Sequence, residues 1–336
     1  MAEDIQVAVL GASGYAGALA AALVQRHPRL RLAAVSSRSD AGRRLGDLYP
    51  RHRVGLELIA PEAAAELDVD AVIIAYPHMA AATAVAHFLA QGSRVVDLSA
   101  DFRLRDPNVY AAWYGEHPAP ELIASAVYGL PELHREAIRG ARLVANPGCY
   151  PTAAILALAP LARAGLISDL VVDAKSGVSG AGRAATEATH FVSVDENVSA
   201  YKVPRHRHTP EIEQELTALG NPVTMTFTPH LLPLDQGELV SCYVGLADRS
   251  LELESLRRLY SDAYAEEPWV ELADRPPGVR DVRETNFCRI HVNHDPRTGR
   301  AIVFGVIDNL WKGTASQAIQ NLNLMFGLDE NLGLLA

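Results

Sequence analysis

The sequence predicts an α/β domain built on a parallel sheet, followed by an α+β domain on a mainly antiparallel sheet. Three observations carry this. At 336 residues the chain is long for one domain and suits two. Up to about residue 150, short apolar runs alternate with helical patterns, as strands do when helices cover both sheet faces. Beyond that point strand-like runs follow one another with fewer helices, and in "FCRIHVNH" polar and apolar residues partly alternate, as on a sheet with one wet face.

Taken in order, "IQVAVLG" (5–11) reads as a buried strand and "YAGALAAALVQRHP" as a helix stopped near Pro28. "LRLAAVSS" is a second strand. "DAVIIAYP" (70–77), "SRVVDLS" (93–99) and "ARLVANP" (141–147) are further strands, with "AAATAVAHFLAQG" a helix between the first two of these. In the second half the helix "PTAAILALAPLARAG", set to start at Pro151, leads to "DLVVDAKSG". Then come "VTMTFTPHLLP", "ELVSCYVGL", "FCRIHVNHD" and "RAIVFGVID". The Asp, Pro and Gly of "HDPRTGR" suit a hairpin turn between the last two. Helical spacing at Ala318, Leu322, Met325 and Phe326 marks a final helix that returns to the first domain. The division is 1–148 with 313–336, and 149–312.

Composition narrows the function. With 49% hydrophobic and 21% charged residues this is a soluble globular chain. A net charge of -10 argues against nucleic acid or anionic membrane as partners, because both need basic surface. An anionic small substrate needs only a local cluster of Arg, Lys and His. The three cysteines, 149, 242 and 288, are too few and odd in number for a disulfide framework, which points to a reducing cytoplasm. "MAEDIQVAVLG" carries acids where a signal peptide carries bases. No apolar run approaches the ~18 residues of a membrane span.

"GASGYAG" places Gly11, Gly14 and Gly17 directly after the first strand and into the first helix. Glycines there permit a tight turn and let backbone N–H groups approach a pyrophosphate at a helix N-terminus. The spacing is G-x-x-G-x-x-G, so the strand–turn–helix context carries as much weight as the motif. An NAD site usually has an acid at the end of the second strand. Here stand Ser36, Ser37 and Arg38, which suit a 2′-phosphate, and no acid appears before Asp40. NADP(H) is therefore the expected cofactor.

Cys149 lies in "NPGCYPT", between a strand and a helix, where the positive end of the helix dipole favours a thiolate. Cys242 and Cys288 lie inside strand patterns, as inert packing residues do. A thiolate nucleophile needs a proton-transfer partner. The densest histidine cluster, "KVPRHRHTPEIEQEL", offers His206 and His208 beside Arg207. The plainer reading of that cluster is a basic loop capping a helix. "DAKSGVSGAGR" (173–183) adds Lys175, Ser176, Ser179 and Arg183 on a Gly/Ser-rich loop able to cradle a phosphate. Together these parts suggest a thiolate that attacks an activated acyl group, expels phosphate and presents a thioester for reduction. No metal is expected.

The motifs "GASGYAG", "DLSADFRL", "YGLPE", "NPGCYPT", "KSGVSGAGR", "YKVPRHRHTPEI", "FTPHLLP" and "DNLWKGTASQAIQNLNLMFGL" run from residue 7 to about 328 in a pattern that closely resembles the N-acetyl-gamma-glutamyl-phosphate reductase family of arginine biosynthesis. Its wider relatives are aspartate-semialdehyde dehydrogenase and the phosphorylating glyceraldehyde-3-phosphate dehydrogenases. The resemblance implies an N-terminal Rossmann domain and a glyceraldehyde-3-phosphate-dehydrogenase-like C-terminal domain whose sheet supports a homo-oligomer, dimer or tetramer. It implies Cys149 as nucleophile and a histidine of "HRH" as base, His208 first and His206 in reserve. The cofactor set it implies is Gly11, Ser13, Gly14, Tyr15, Gly17, Ser36, Ser37, Arg38, Ser176, Gly177 and Asn309. The set for substrate and phosphate is Arg103, Ser179, Arg183, Lys202 and Arg207. The substrate is then a small-molecule acyl phosphate.

Two departures stand out. The family commonly has two glycines before "HRHTPEI", where this chain has Pro204 and Arg205. It also usually carries Arg-Gly after "PHLLPM", where this chain has Gln236 before Gly237 and Glu238. The close paralogue of lysine biosynthesis reduces an aminoadipyl phosphate held on a small acidic carrier protein, a partner that Arg205 would suit, and this is the alternative substrate. An NADP-binding regulator with a dead site is the alternative from another class, although a dead site should have lost the cysteine or the histidines.

Overall fold

The sheet of the first unit has seven parallel strands in the order β3-β2-β1-β4-β5-β7-β6. These are β1 (Ile5–Leu10), β2 (Leu30–Ser36), β3 (Leu58–Ile59), β4 (Ala71–Ile74), β5 (Arg94–Asp97), β6 (Ala126–Tyr128) and β7 (Leu143–Ala145). The computed structural model describes residues 4–334. By contacts the chain divides into this unit, which runs to Gly148 and resumes at Thr314, and a second, Cys149–Gly313.

Val7, Ala8, Val9 and Leu10 are all buried, and so are all four residues of β4. Such runs have no polar phase because both sheet faces are covered. Leu10, Val72, Ile74, Val85, Phe88 and Val95 share one core cluster. Each large apolar side chain so buried contributes about 1.5–3 kcal/mol. Chain order reverses beside β1: β2 and β3 lie on one side, β4 on the other. In open α/β sheets ligands bind at the strand ends of such a reversal. The helix Ser316–Met325, entered through a π-helical turn at Trp311–Ala315, is buried along its whole length. Asn321 anchors it, donating from Nδ2 to the Gly129 carbonyl at 2.9 Å and to Asn146 Oδ1 at 3.0 Å.

The second sheet contains β8 (Ile167–Gly177), β9 (Ser199–Ala200), β10 (Thr226–Leu232), β11 (Glu238–Leu246), β12 (Val270–Leu272), β13 (Cys288–Asp295) and β14 (Arg300–Ile307). Its order is β12-β13-β14-β11-β8-β10-β9. The expectation of a mainly antiparallel sheet needs refinement, because β8–β10 and β12–β13 are parallel pairs. The cause is the connection. The long segment from β8 to β10 carries the helix Thr209–Leu219, and a crossover of that kind returns the chain in the same direction.

The helix Cys149–Arg163 is buried from Tyr150 to Ala162. It starts at Cys149, two residues before the expected Pro151. Pro151 is harmless there, because the first turn's N–H groups have no intrahelical partner. Pro160 is a different case. With no N–H, it leaves the carbonyl of Leu156 without its usual helical donor. The hydroxyl of Tyr264 donates to that carbonyl, and Tyr260 donates to the Ala157 carbonyl at 2.6 Å. Both tyrosines come from the helix Leu253–Tyr264. Among the described residues, no helix is long and apolar enough to cross a membrane.

Candidate functional site

The glycine turn joins β1 to the helix Tyr15–Arg26. Gly11 has φ +76°, and a Cβ there would stand 2.5 Å from the Ala75 carbonyl oxygen at the end of β4. A Cβ on Gly17 would stand 2.5 Å from the Gly11 carbonyl oxygen. Only glycine fits either place. Gly14 is the helix N-cap and has no side chain to occupy the first N–H groups, so they remain open to a ligand. Ser13 and Ser37 share a hydrogen bond at 2.7 Å. The Tyr49 hydroxyl donates to the Ser13 carbonyl at 2.7 Å, and its ring meets Tyr15 edge-on at 6.3 Å.

At the end of β2 the expected residues separate. Ser36 is fully buried inside the sheet, and Ser37 is nearly so, its oxygen accepting the Asp40 N–H at 3.2 Å. Arg38 is exposed. The Asp40 carboxylate pairs with Arg43 at 3.1 Å, so the nearest acid is balanced by a cation. The surface presented here thus comes from Arg38, with Ser36 withdrawn from it.

In the second unit, Cys149 is half-buried at the start of its helix, while Cys242 and Cys288 are fully buried. Tyr150, next in sequence, is buried and organises the surroundings. His206 and His208 meet its ring at centroid distances of 5.7 and 5.9 Å, and Phe227 at 5.4 Å. The two imidazoles are 4.8 Å apart. The Tyr150 hydroxyl donates to the His230 carbonyl at 3.2 Å and receives the Tyr201 hydroxyl at 3.4 Å. Burial holds both phenols protonated well past the usual tyrosine range.

The histidines differ. His206 is 7% exposed, and burial, with the Lys202 and Arg207 cations behind it, pushes it down to about 4. Its Nδ1 accepts the His208 backbone N–H at 3.2 Å, which assigns the ring proton of the neutral form to Nε2. His208 is half-exposed and caps the helix Thr209–Leu219.

A second cluster forms where β8 and β14 end and β11 begins. Ser176 and Gly177 belong to β8, so the expected loop at 173–183 begins only with the 3₁₀ turn Val178–Ala181. Asn309 donates to Ser179 Oγ at 3.0 Å and accepts the Gly237 N–H at 2.7 Å. Asp308 receives backbone N–H groups from Leu310 at 2.9 Å and Trp311 at 3.2 Å. That turn brings Gly313 so close to Cys149 that a Cβ on it would stand 2.9 Å from the cysteine Cβ.

Of the other expected residues, Arg103 lies in the first unit and donates to the carbonyls of Leu98 and Asn146, each at 2.8 Å. Arg183 and Lys202 are exposed, and Arg207 is half-exposed. Lys175 forms an ion pair with Asp173 at 2.6 Å. Gln236 is buried, and the Arg283 guanidinium donates to its carbonyl at 3.0 Å. The sequence reading missed Tyr150, Tyr201 and Glu238. Glu238 left a signal: it sits in phase with Val240, Cys242 and Val244, an acid on the buried phase of a strand. Burial pushes it up to about 8, and the nearby Cys149 thiol and Ser176 hydroxyl act to lower it.

Comparison with known proteins fits this arrangement. Residues 6–141 match the family described as semialdehyde dehydrogenase, NAD binding domain, and residues 149–309 match semialdehyde dehydrogenase, dimerisation domain. Among solved structures, aspartate semialdehyde dehydrogenase II from Vibrio cholerae superimposes with a TM-score of 0.73 over 97% of this chain and 99% of that one, at 20% identity. Fold and site thus define a two-domain semialdehyde dehydrogenase. The N-acetyl-gamma-glutamyl-phosphate reductases of Halorhodospira halophila and Desulforudis audaxviator are 49% and 48% identical to this chain, over 98% of each sequence. The chain belongs to the N-acetyl-gamma-glutamyl-phosphate reductase family.

Proposed function

We propose that the chain reduces N-acetyl-gamma-glutamyl phosphate to N-acetylglutamate 5-semialdehyde and phosphate, with NADPH, through a thioester on Cys149. The observation that carries the reading is Cys149 at the head of a buried helix, followed by a tyrosine whose ring packs against two histidines. The names of the relatives support this substrate over the carrier-bound alternative, which no observation favours.

The cofactor residues are Gly11, Ser13, Gly14, Tyr15 and Gly17, with Ser37 and Arg38 toward the 2′-phosphate. Ser36, Ser176, Gly177 and Asn309 are assigned by the resemblance. The fit rests on Gly11 and Gly17, where a side chain would fill the cradle. When bound, NADPH supplies a hydride. The chain's own residues do the rest. Cys149 attacks the acyl carbon, the bond to phosphate breaks, and phosphate leaves with the electron pair. His208 gives a proton to the former carbonyl oxygen and takes it back as the hemithioacetal collapses to the aldehyde and the Cys149 thiolate. Two observations support His208 over His206: His208 is the more exposed, and His206 stays neutral with Nδ1 occupied. Ser179, Arg183, Lys202 and Arg207, with Arg103, are assigned to substrate and phosphate.

Residues up to 148, with the returning C-terminal helix, are assigned to the cofactor, and 149–312 to the chemistry and to homo-oligomer formation. The dimerisation description of the second family match supports the latter. Three cysteines, too few and odd in number for a disulfide framework, fit a reducing cytoplasm. The test is phosphate-dependent NADP⁺ reduction with N-acetylglutamate 5-semialdehyde, beside carrier-bound aminoadipate semialdehyde. Turnover of the first alone is expected, and turnover of the second alone reverses the assignment.

A further inference from the structure

Glu238 opens β11 on the face that carries Val240, Cys242 and Val244 into the core. It has no exposed surface, and neither carboxylate oxygen has a hydrogen-bond partner of ordinary geometry. The register sets it opposite Ser176 of β8 on one side and Ile307 of β14 on the other. Ile307 also borders Gly313, the residue pressed against Cys149. The groups that act on the carboxyl are the Cys149 thiol, the Ser176 hydroxyl and the Asp308 carboxylate, and the buried Lys312 lies in the turn that carries Gly313. The phenols of Tyr150 and Tyr201 feel both Cys149 and Glu238.

We propose that Glu238 is a positioning residue for Cys149: after the first proton is lost, carboxyl and thiol hold one negative charge between them, and in that state the thiolate exists only while Glu238 is the neutral acid. This rests on the reading of Cys149 as the nucleophile. Glu238 is fully buried and the half-buried Cys149 thiol acts on it, so a charge on either one opposes a charge on the other. Loss of one proton leaves either a thiolate beside a carboxylic acid or a thiol beside a carboxylate. The two forms have the same total charge, so pH does not shift the balance between them. The acid form can donate its O–H to the sulfur. The elevated carboxyl agrees in direction with this sharing.

The test is the rate of Cys149 alkylation by iodoacetamide against pH, on the full chain, with Cys149→Ser as the control for other thiols. The unmodified protein should show two steps, a partial rate after the first proton is lost and the full rate after the second. Glu238→Gln, which cannot ionise, should give a single step about one pH unit or more below the upper step. Between those values its alkylation should be up to about tenfold faster. Glu238→Met removes the same charge and should also give one step, so it serves if the amide variant does not fold. A single step in the unmodified protein, or an upper step kept in either variant, overturns the proposal. Turnover by Cys149→Ser would overturn the thioester reading instead and leave this titration standing.

Discussion

The Nδ1 of His206 accepts the backbone N–H of His208 at 3.2 Å, so one histidine of the pair fixes the chain that carries the other. This separates their roles. His208→Asn is expected to lose about 10²- to 10⁴-fold in kcat, the usual worth of a general acid–base group, with NADPH affinity little changed. His206→Asn should be milder. If His206→Asn is the crippled variant, the proton carrier is assigned one step wrong.

The same burial makes His206 a source of acid sensitivity. Its pKa is lowered from 6.5 to about 4, so the folded chain favours the neutral ring. Between those values the unfolded chain binds more protons, and stability falls as pH drops through that window. Above 6.5 the contribution is complete. Urea unfolding of the unmodified protein at pH 7 and pH 4.5, beside His206→Asn, should show a smaller loss in the variant. An equal loss in both assigns the acid sensitivity to other groups.

Arg38 is the exposed cation at the end of β2. Arg38→Ala should raise the KM for NADPH roughly 10- to 150-fold, the equivalent of about 1.5–3 kcal/mol for a charged hydrogen bond, and barely touch NADH. Equal use of both cofactors by the unmodified protein contradicts the preference.

Gly313→Ala places a Cβ 2.9 Å from Cys149 Cβ, 3.2 Å from Ile307 Cδ1 and 3.3 Å from the Asp308 carbonyl oxygen. Something must move, at a cost of about 1–3 kcal/mol for overpacking. A fall in kcat together with an altered rate of Cys149 alkylation is expected. Unchanged values in both would show that the contact does not hold the cysteine in place.

Much of this was legible in the sequence, for identifiable reasons. Strand β1, the glycine turn and the helix after it are written locally, in seven residues and the apolar runs beside them. Cys149 and the histidine pair are equally local. Sheet pairing is not, because the periodicity of β8 tells which face is buried and nothing of its partner. The parallel β8–β10 pair therefore had to come from the structure. Ser36 reads as a strand-end residue suited to a 2′-phosphate, yet the parallel sheet buries it completely. Tyr201 and Glu238 reach the cysteine's surroundings from strands and loops far along the chain, and only Glu238 left a trace, an acid on an apolar phase.

The central claim is that Cys149 carries the acyl group. Replacement by serine tests it most directly, because an alkoxide forms far less readily than a thiolate near neutral pH. Cys149→Ser should bind NADPH and show no turnover, while Cys242→Ser and Cys288→Ser, both buried in strands, keep activity if they fold. A Cys149→Ser protein that retained most of its rate would contradict the thioester mechanism.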